Sequence, residues 1–194
     1  MISSISGSVK ATSINSLVVE VGGVGLLLQV PIRIAAKMQV GERVSFHTYL
    51  IVREDALTLY GFTEIVDRDF FELLLSVTGI GPKVAQSILA NSDASSIANA
   101  IITSNLKSLE AVPGLGKKGA QRLVLELKDK AAVFASGKSG SNLTISNQVE
   151  NALQGLGYSN KEAISMVNQV MKDEKIEGLS VGQVLKLALK SGGK

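Results

Sequence analysis

The stretch "TGIGPKVAQSILA", Thr78 to Ala90, recurs as "PGLGKKGAQRLVL", Pro113 to Leu125. The copies are offset by 35 residues and share two glycines, a lysine and an Ala-Gln pair at matching positions. Each copy follows a helical segment that ends in a valine, and each opens another helix. The repeated unit is therefore predicted to be a helix, a tight Gly-hydrophobic-Gly turn and a second helix.

A turn of this kind suits a phosphate ligand. Glycine tolerates positive φ and lets a ligand come close to the backbone. The helix that follows offers free N–H groups and the positive end of its dipole. Ile80 and Leu115 are predicted to be buried and to fix the two turns. Basic residues stand in or just after the turns, where they can reach the same phosphates: Lys83, Lys117, Lys118 and Arg122.

These motifs permit three other interpretations. "GLGKKG", Gly114 to Gly119, matches GxGxxG, but a dinucleotide-binding loop must follow a strand, and this one follows the helical "NLKSLEAVP". "AVFASGKS", Ala132 to Ser139, matches a relaxed P-loop, but it also follows a helix, so we interpret it as accidental. A purely structural helical hairpin would explain one copy. Two copies with the same glycines and lysine weaken that interpretation.

The first 62 residues have a strand pattern. "SLVVEVGGVGLLLQVPI" contains two β-rich runs joined by Gly22-Gly23, which is a hairpin signal. "RVSFHTYLIV" and "LTLYGF" flank "REDA" as a second hairpin, and "IRIAAKMQVGE" permits a short helix between the two. About five short strands in this length predict an OB-type barrel, with another small β-barrel as the open alternative. The aromatic residues of this region are expected in its core: Phe46, Tyr49, Tyr60 and Phe62.

The rest of the chain has a helical pattern with one interruption. Helical spacing runs from Glu64 to about Phe134, and Ser92-Asp93 is placed to cap "ASSIANAIIT". "ASGKSGSNLTISN", residues 135–147, has the composition of a flexible linker. Three short helices follow, with Ser159 and Ser180 as N-caps. The predicted domains are 1–63 (barrel), 64–134 (all-α, two hairpins), 135–147 (linker) and 148–194 (three helices).

Composition restricts the function classes. The chain has 194 residues, 45% of them hydrophobic, and no cysteine, which excludes disulfides and thiolate chemistry. We see no secretory signal and no membrane span, so a cytoplasmic location is expected. The net charge is only +3, so positive charge must be local if nucleic acid is the partner. His47 is the only histidine and is expected to pack or to face solvent, and no catalytic residue, metal site or cofactor is predicted.

The turn "RED" places Arg53, Glu54 and Asp55 between two predicted strands. The plain interpretation is a solvated hairpin tip, because charged residues are common there. Adjacent carboxylates would also repel phosphates, which is unusual for a surface that faces DNA.

The order of these parts is more specific than any one motif. A barrel ending in "LYGF" with an acidic "RED" hairpin, a doubled helix-hairpin-helix domain, a linker and a tail carrying "GLGYS" together resemble the RuvA family, which binds Holliday junctions. The resemblance covers essentially the whole chain. It implies a four-fold tetramer, or an octamer on DNA, that holds a four-way junction open and square without base specificity. It assigns Arg53, Glu54 and Asp55 to an acidic pin at the junction centre. It assigns phosphate contacts to Gly79, Gly81, Lys83, Gly114, Gly116, Lys117, Lys118 and Arg122.

The resemblance also concerns the tail and the partners. "GLGY", Gly155 to Tyr158, is similar to the tight loop of UBA-type three-helix domains, and it implies that Leu156, Gly157 and Tyr158 dock the ATP-driven motor RuvB. The implied role is a non-enzymatic subunit in branch migration during recombination and repair, with the resolvase RuvC as a further partner. One departure is Gly119, a helix-weakening residue at a helix start.

Two other functions stay open at this point. Helix-hairpin-helix repeats also accompany structure-specific nucleases, and "GLGKKG" could belong to a nucleotide-binding enzyme.

Overall fold

A computed structural model of the chain describes residues 2–135, 140–171 and 179–192. The chain divides into two compact units, Met1–Lys138 and Ser139–Lys194. Within the described residues, none of the helices combines the length and the apolar character that crossing a bilayer requires.

The first unit begins with a closed barrel in the strand order β1-β2-β3-β5-β4. Its elements are β1 (Ser4–Thr12), β2 (Ser16–Val21), β3 (Val24–Gln29), the short helix α1 (Ile32–Ala35), β4 (Arg43–Val52) and β5 (Leu57–Phe62). The β3–β5 pairing is parallel, and the other four pairings are antiparallel. The predicted OB-type barrel, its two hairpins and its short helix are confirmed.

The barrel closes around side chains from alternate strand positions. Leu17 and Val19 of β2 face inward with Leu28 of β3 and Phe46 of β4, and all four are buried. Since successive strand residues point to opposite faces, this alternation sets which face of the sheet becomes the core. Half-buried His47, next to Phe46, lies opposite Phe62 in the β4–β5 register, which fits the packing or surface role predicted for it.

Five helices complete the first unit. They are α2 (Ile65–Leu75), α3 (Pro82–Ile88), α4 (Ala94–Ile102), α5 (Leu106–Glu110) and α6 (Gly116–Ala135). Helix α6 packs along α4, and Phe134 near its end meets Phe70 of α2 edge to face, with ring centroids 5.0 Å apart. The predicted cap is confirmed, because the Asp93 carboxylate accepts a hydrogen bond from the Ser96 amide at 2.8 Å. This hydrogen bond from the Ser96 amide is the main reason why the pKa of Asp93 lies below its ordinary value.

The barrel and the helices form one packed body, although the sequence predicted two domains that meet at residue 63. Phe71 of α2 lies among the barrel aromatics, with its ring centroid 4.9 Å from that of Tyr60 and 5.1 Å from that of Phe62. An ion pair joins Asp67 of α2 to Arg33 of α1. The prediction missed this union because it depends on contacts between residues far apart in sequence.

The Arg33–Asp67 pair is part of a larger polar network. The other Asp67 oxygen accepts the Ala94 amide at 2.9 Å, at the start of α4. Arg33 donates from Nε to the Leu89 carbonyl at 3.1 Å. Asp67 is buried, and both of its oxygens have partners. This one carboxylate therefore connects the barrel to two separate helices.

The second unit contains α7 (Gly140–Gly155), α8 (Asn160–Met171) and α9 (Val181–Gly192). Ser159 and Ser180 precede α8 and α9 as predicted. Ser159 and Glu162 exchange hydrogen bonds in a capping box, with the Glu162 amide donating to Ser159 Oγ and the Ser159 amide donating to the Glu162 carboxylate. Ser180 donates from its amide and from Oγ to Gln183 Oε1, at 2.8 and 2.9 Å. Among the described residues of this unit, α7, α8 and α9 all contribute to the core, which includes Val149, Leu153, Ala163, Met166, Val167, Val170, Val184 and Ala188.

The structure differs from the prediction in the linker, residues 135–147. Residues 140–147 form the first part of α7, and residues 136–139 lie outside the described residues. Ile145, Val149 and Leu153 are spaced by four residues, and all three contribute to the core of the second unit. This apolar stripe extends the helix into a stretch whose small polar composition suggested a linker.

We expect Asp67→Ala to lower the free energy of unfolding by about 3 kcal/mol, because it leaves the Arg33 charge and the Ala94 amide without their partner. Urea denaturation of the full chain measures this. Asp129→Asn, at an exposed position on α6, is the control and should stay within about 0.5 kcal/mol of the parent chain. Equal losses in the two variants would contradict the role given to Asp67.

Candidate nucleic-acid interface

The repeat in the sequence is also a repeat in geometry. In the first hairpin the Ile80 amide donates to the Val77 carbonyl at 3.0 Å, and in the second the Leu115 amide donates to the Val112 carbonyl at 3.1 Å. The glycines inside these turns have nearly equal φ values, 87° for Gly79 and 85° for Gly114. The two copies thus share this turn as far as the buried apolar residue, and they differ at the glycine after it, with a φ of −90° for Gly81 and 60° for Gly116.

The apolar residue of each turn is inside and its glycines are outside. Ile80 and Leu115 are each only 6% exposed, as predicted. The flanking glycines are all exposed: Gly79, Gly81, Gly114 and Gly116. Burying the central residue therefore turns the backbone on either side of it toward solvent.

Each turn leads directly into a helix. Pro82 begins α3, where its fixed φ suits the first helical position, and Gly116 begins α6. The first N–H groups of a helix have no partner within it, and they carry the positive end of the helix dipole. Three exposed lysines stand at these helix starts: Lys83, Lys117 and Lys118. The site thus offers amide donors and positive charge at both corners.

Because "GLGKKG" follows helix α5 and not a strand, the context of a dinucleotide-binding loop is missing. The relaxed P-loop match at 132–139 begins inside α6, and its residues 136–139 lie outside the described residues.

A groove of about 280 Å³ separates the two hairpins. Across it, Arg122 of α6 donates from Nη1 to the carbonyl oxygen of Thr78 at 2.8 Å. On the other side, a Cβ placed on Gly114 would lie 3.6 Å from Val84 Cγ2 of α3. Lys118 also lines the groove. Each hairpin therefore contacts the helix that follows the other.

The structure explains Gly119, the departure noted in the sequence. A Cβ placed on Gly119 would lie 3.0 Å from Leu115 Cδ1, closer than ordinary van der Waals contact. Glycine at this position gives the buried Leu115 side chain room to turn back over the first turn of α6. Glycine here weakens the helix by up to about 1 kcal/mol relative to alanine, and in return it permits the packing of the second hairpin.

The acidic turn lies at the end of the β4–β5 hairpin. Val52 and Leu57 form the last strand pair, and the Arg53 amide donates to the Ala56 carbonyl at 2.9 Å to close the turn. Arg53, Glu54 and Asp55 are all exposed, as expected for a hairpin tip.

The acidic tip and the first hairpin share a cleft of about 860 Å³. Arg53 and Asp55 line it from the barrel, while Gly81 and Lys83 line it from the hairpin. Burial raises the pKa of Tyr60 in the cleft wall, and the positive charge of Arg53 acts in the opposite direction. Carboxylate and ammonium groups therefore lie on the two walls of one cleft.

Gln86 has a role that the repeat did not reveal. It donates from Nε2 to the Val30 carbonyl at 2.8 Å and so attaches α3 to the barrel. Its counterpart in the second copy, Gln121, is exposed. The shared Ala-Gln pair marked both positions, but no sequence signal distinguishes Gln86, which meets the barrel, from the exposed Gln121.

The tail residues predicted to dock a motor differ in their surroundings. Leu156 is 59% exposed, and Gly157 has a φ of 96° in the turn between α7 and α8. Tyr158 instead packs against the core of the second unit, and its amide donates to the Leu153 carbonyl at 3.1 Å. Of the two side chains, Leu156 is the one available to a partner.

Three family profiles match the chain. The RuvA N-terminal domain matches residues 1–61, the SAM-like helix-hairpin-helix tandem matches residues 71–129, and the RuvA C-terminal domain matches residues 144–191.

Full-length relatives agree with these profiles. The Holliday junction branch migration complex subunit RuvA of Cutibacterium acnes is 41% identical over 198 residues, which cover 98% of both chains. The proteins of the same name from Streptomyces coelicolor and Geobacter metallireducens are 40% and 38% identical, again with 98% of each chain covered.

Gly79 and Gly81 provide a matched test of the first turn. Gly79→Ala should lower the free energy of unfolding by about 1–2 kcal/mol, because φ lies in the left-handed region. The new Cβ would also lie 3.3 Å from Arg122 Nη1.

Gly81 has a φ of −90° and open space around its Cα, so Gly81→Ala serves as the control. Alanine is a poorer N-cap than glycine, which lowers stability, but it also makes the unfolded chain stiffer, which raises stability. The net change in the free energy of unfolding should stay within about 0.5 kcal/mol. Denaturant titration compares the two variants. A loss for Gly81→Ala as large as that for Gly79→Ala would contradict this account of the turn.

Proposed function

The chain belongs to the RuvA family, and from that premise we propose that it binds four-way DNA junctions as the non-catalytic subunit of a branch migration complex. Its role in this proposal is to hold the junction open for an ATP-driven motor, RuvB, that acts on the DNA arms. The resolvase RuvC is a further partner in the same proposal.

The observation that carries this proposal is the pair of exposed glycine corners before α3 and α6, which share one turn hydrogen bond and a positive φ at the first glycine. Backbone amides at a helix start bind phosphate oxygens without regard to the base. Exposed Lys83, Lys117 and Lys118 add positive charge at these corners, although the whole chain carries only +3. Phosphate contacts at Gly79, Gly81, Gly114 and Gly116, with these lysines, give affinity without sequence preference.

The acidic tip supplies selectivity for DNA shape. Glu54 and Asp55 are exposed, and Asp55 faces the same cleft as Lys83. Carboxylates near phosphates are unfavourable, so a continuous duplex running past the tip would meet repulsion. A junction whose strands separate around the tip would avoid most of it.

A tetramer is proposed on grounds of symmetry. One chain carries one tip and one pair of hairpins, and a four-way junction has four equivalent arms. Four copies around a four-fold axis would place one pair of hairpins on each arm and eight tip carboxylates at the centre. The resemblance also permits an octamer, with one tetramer on each side of the DNA.

The second unit is proposed to dock the motor. It has a core of its own, to which α7, α8 and α9 contribute. Leu156, exposed in the α7–α8 turn beside Gly157, is the apolar side chain that we assign to this contact. Tyr158 supports the turn from inside.

Competition binding tests the proposed function. A labelled immobile four-way junction is displaced by unlabelled junction, by linear duplex of the same sequences and by single strands, all at one salt concentration. We expect the junction to compete far better than the other two. Equal competition by all three would refute junction recognition.

Neutralising the tip should reduce selectivity and not affinity. We expect Glu54→Gln with Asp55→Asn to bind the junction at least as tightly as the parent chain. Affinity for duplex should rise by about tenfold, or ~1.4 kcal/mol, because the repulsion of phosphates is removed. The ratio of duplex to junction dissociation constants measures this.

Glu110→Gln with Asp129→Asn is the matched control, because it removes the same charge from exposed helical positions of the same unit. Its ratio should not change. Loss of junction binding in the tip variant would show that the assignment of the acidic pin is wrong.

A chain that ends at Lys138, the last residue of the first unit, should separate the two proposed roles. We expect junction affinity within about twofold of the full chain, a difference of ~0.4 kcal/mol, and no stimulation of RuvB-driven branch migration. A gel shift measures junction affinity, and a strand-displacement assay measures branch migration. Full stimulation by the shortened chain would contradict motor docking by the second unit.

A further inference from the structure

We propose that Arg122 is a positioning residue that sets the spacing between the two hairpins, and that it does not itself contact a DNA phosphate. The proposal rests on the proposed function, because it concerns how the two phosphate sites are held. It changes the role that family resemblance gives to Arg122.

The first evidence is the hydrogen bond from Arg122 Nη1 to the Thr78 carbonyl, at 2.8 Å. Thr78 is 44 residues away in sequence and belongs to the turn of the first hairpin. Arg122 lies in α6, the helix that the second hairpin opens. The bond therefore crosses from one hairpin to the other.

The second evidence is how closely Arg122 lies against Gly79. A Cβ on Gly79 would be 3.3 Å from Arg122 Nη1, so the guanidinium lies directly beside this glycine corner. On the opposite side of the groove, Val84 lies against Gly114. The two hairpins thus come close at two points, and the Arg122–Thr78 hydrogen bond is the polar link between them.

The third evidence is that a carboxylate already accompanies the Arg122 charge. Glu126 lies one helical turn further along α6, with Oε1 3.9 Å from Arg122 Nε. A pair at this spacing orients the guanidinium and offsets its field. Among the described residues Lys118 forms no ion pair, so its charge is better placed to attract a phosphate.

The fourth evidence comes from the repeat itself. The glycines and Lys83 of the first copy recur in the second at the 35-residue offset, as expected for residues with the same task. Arg122 does not recur, because the matching position is Ser87. Ser87 Oγ donates to the Lys83 carbonyl within its own helix at 3.0 Å. A residue present in one copy alone fits a link between copies better than a duplicated phosphate contact.

Such a link matters because the phosphates of one DNA arm are held at fixed separations. Two sites held at the right spacing before binding lose less conformational entropy when both are occupied. Without the link each corner could still bind a phosphate, but the pair would bind one arm less tightly.

The experiment compares Arg122→Ala with Lys118→Ala in the full chain. Two quantities are measured: the slope of log K against log salt for a four-way junction, and the NMR shift of the Gly79 amide in the DNA-free protein. Arg122→Met, which keeps the aliphatic stem, is the second variant. Thermal midpoints establish that each variant is folded.

We expect Arg122→Ala and Arg122→Met to weaken junction binding by about tenfold, or ~1.4 kcal/mol, with the parental salt slope and a shifted Gly79 amide. Lys118→Ala should make the slope shallower by about 0.9 and leave the Gly79 amide in place.

A slope as shallow for the Arg122 variants as for Lys118→Ala would overturn the proposal, because it would show a lost phosphate contact. Unchanged affinity or an unshifted Gly79 amide would overturn it too. If the parent chain showed no preference for junctions, the proposed function would fail. The Gly79 amide, read without DNA, would still decide whether Arg122 holds the first hairpin.

Discussion

A single turn hydrogen bond in each hairpin determines how this protein can meet its ligand. The amide of a buried apolar residue, Ile80 or Leu115, bonds back to the carbonyl three residues earlier, and a glycine between them adopts positive φ. Because the apolar side chain must enter the core, the backbone beside it is directed outward at the start of a helix. The backbone donors that we propose for phosphate are therefore a product of packing, and they need no dedicated polar side chain.

The contact between barrel and helices gives these corners their orientation. Phe71 fills a gap among the barrel aromatics, Asp67 pairs with Arg33, and Gln86 ties α3 to Val30. The first hairpin and the acidic tip consequently face one cleft from opposite walls. In the proposed function, groups that attract phosphate and groups that repel it lie on two walls of this cleft, and together they favour a branched DNA shape over a continuous duplex.

Much of this arrangement could be predicted from the sequence, because the signals were local. The repeat fixed the turns, strand alternation indicated the barrel, and Asp93, Ser159 and Ser180 marked helix starts correctly. Contacts between distant residues could not be predicted. Arg122 meets Thr78 across 44 residues, and Gln86 meets Val30 across 56 residues. Both acceptors are backbone carbonyl oxygens, which every residue has, so no sequence pattern could reveal them. The stretch 140–147 was misjudged because its composition is that of a linker, whereas Ile145 packs in a helical core.

The small side chain at Gly119 shows how far the two copies have diverged. The matching residue of the first copy is Val84, which packs against Gly114, whereas Gly119 gives room to Leu115. A chain built from the first hairpin twice over would put a branched side chain where Leu115 turns back, and a serine where Arg122 reaches across. The duplicated halves are thus no longer interchangeable parts. Each hairpin carries residues that lie against the other, so a substitution in one changes the surroundings of both.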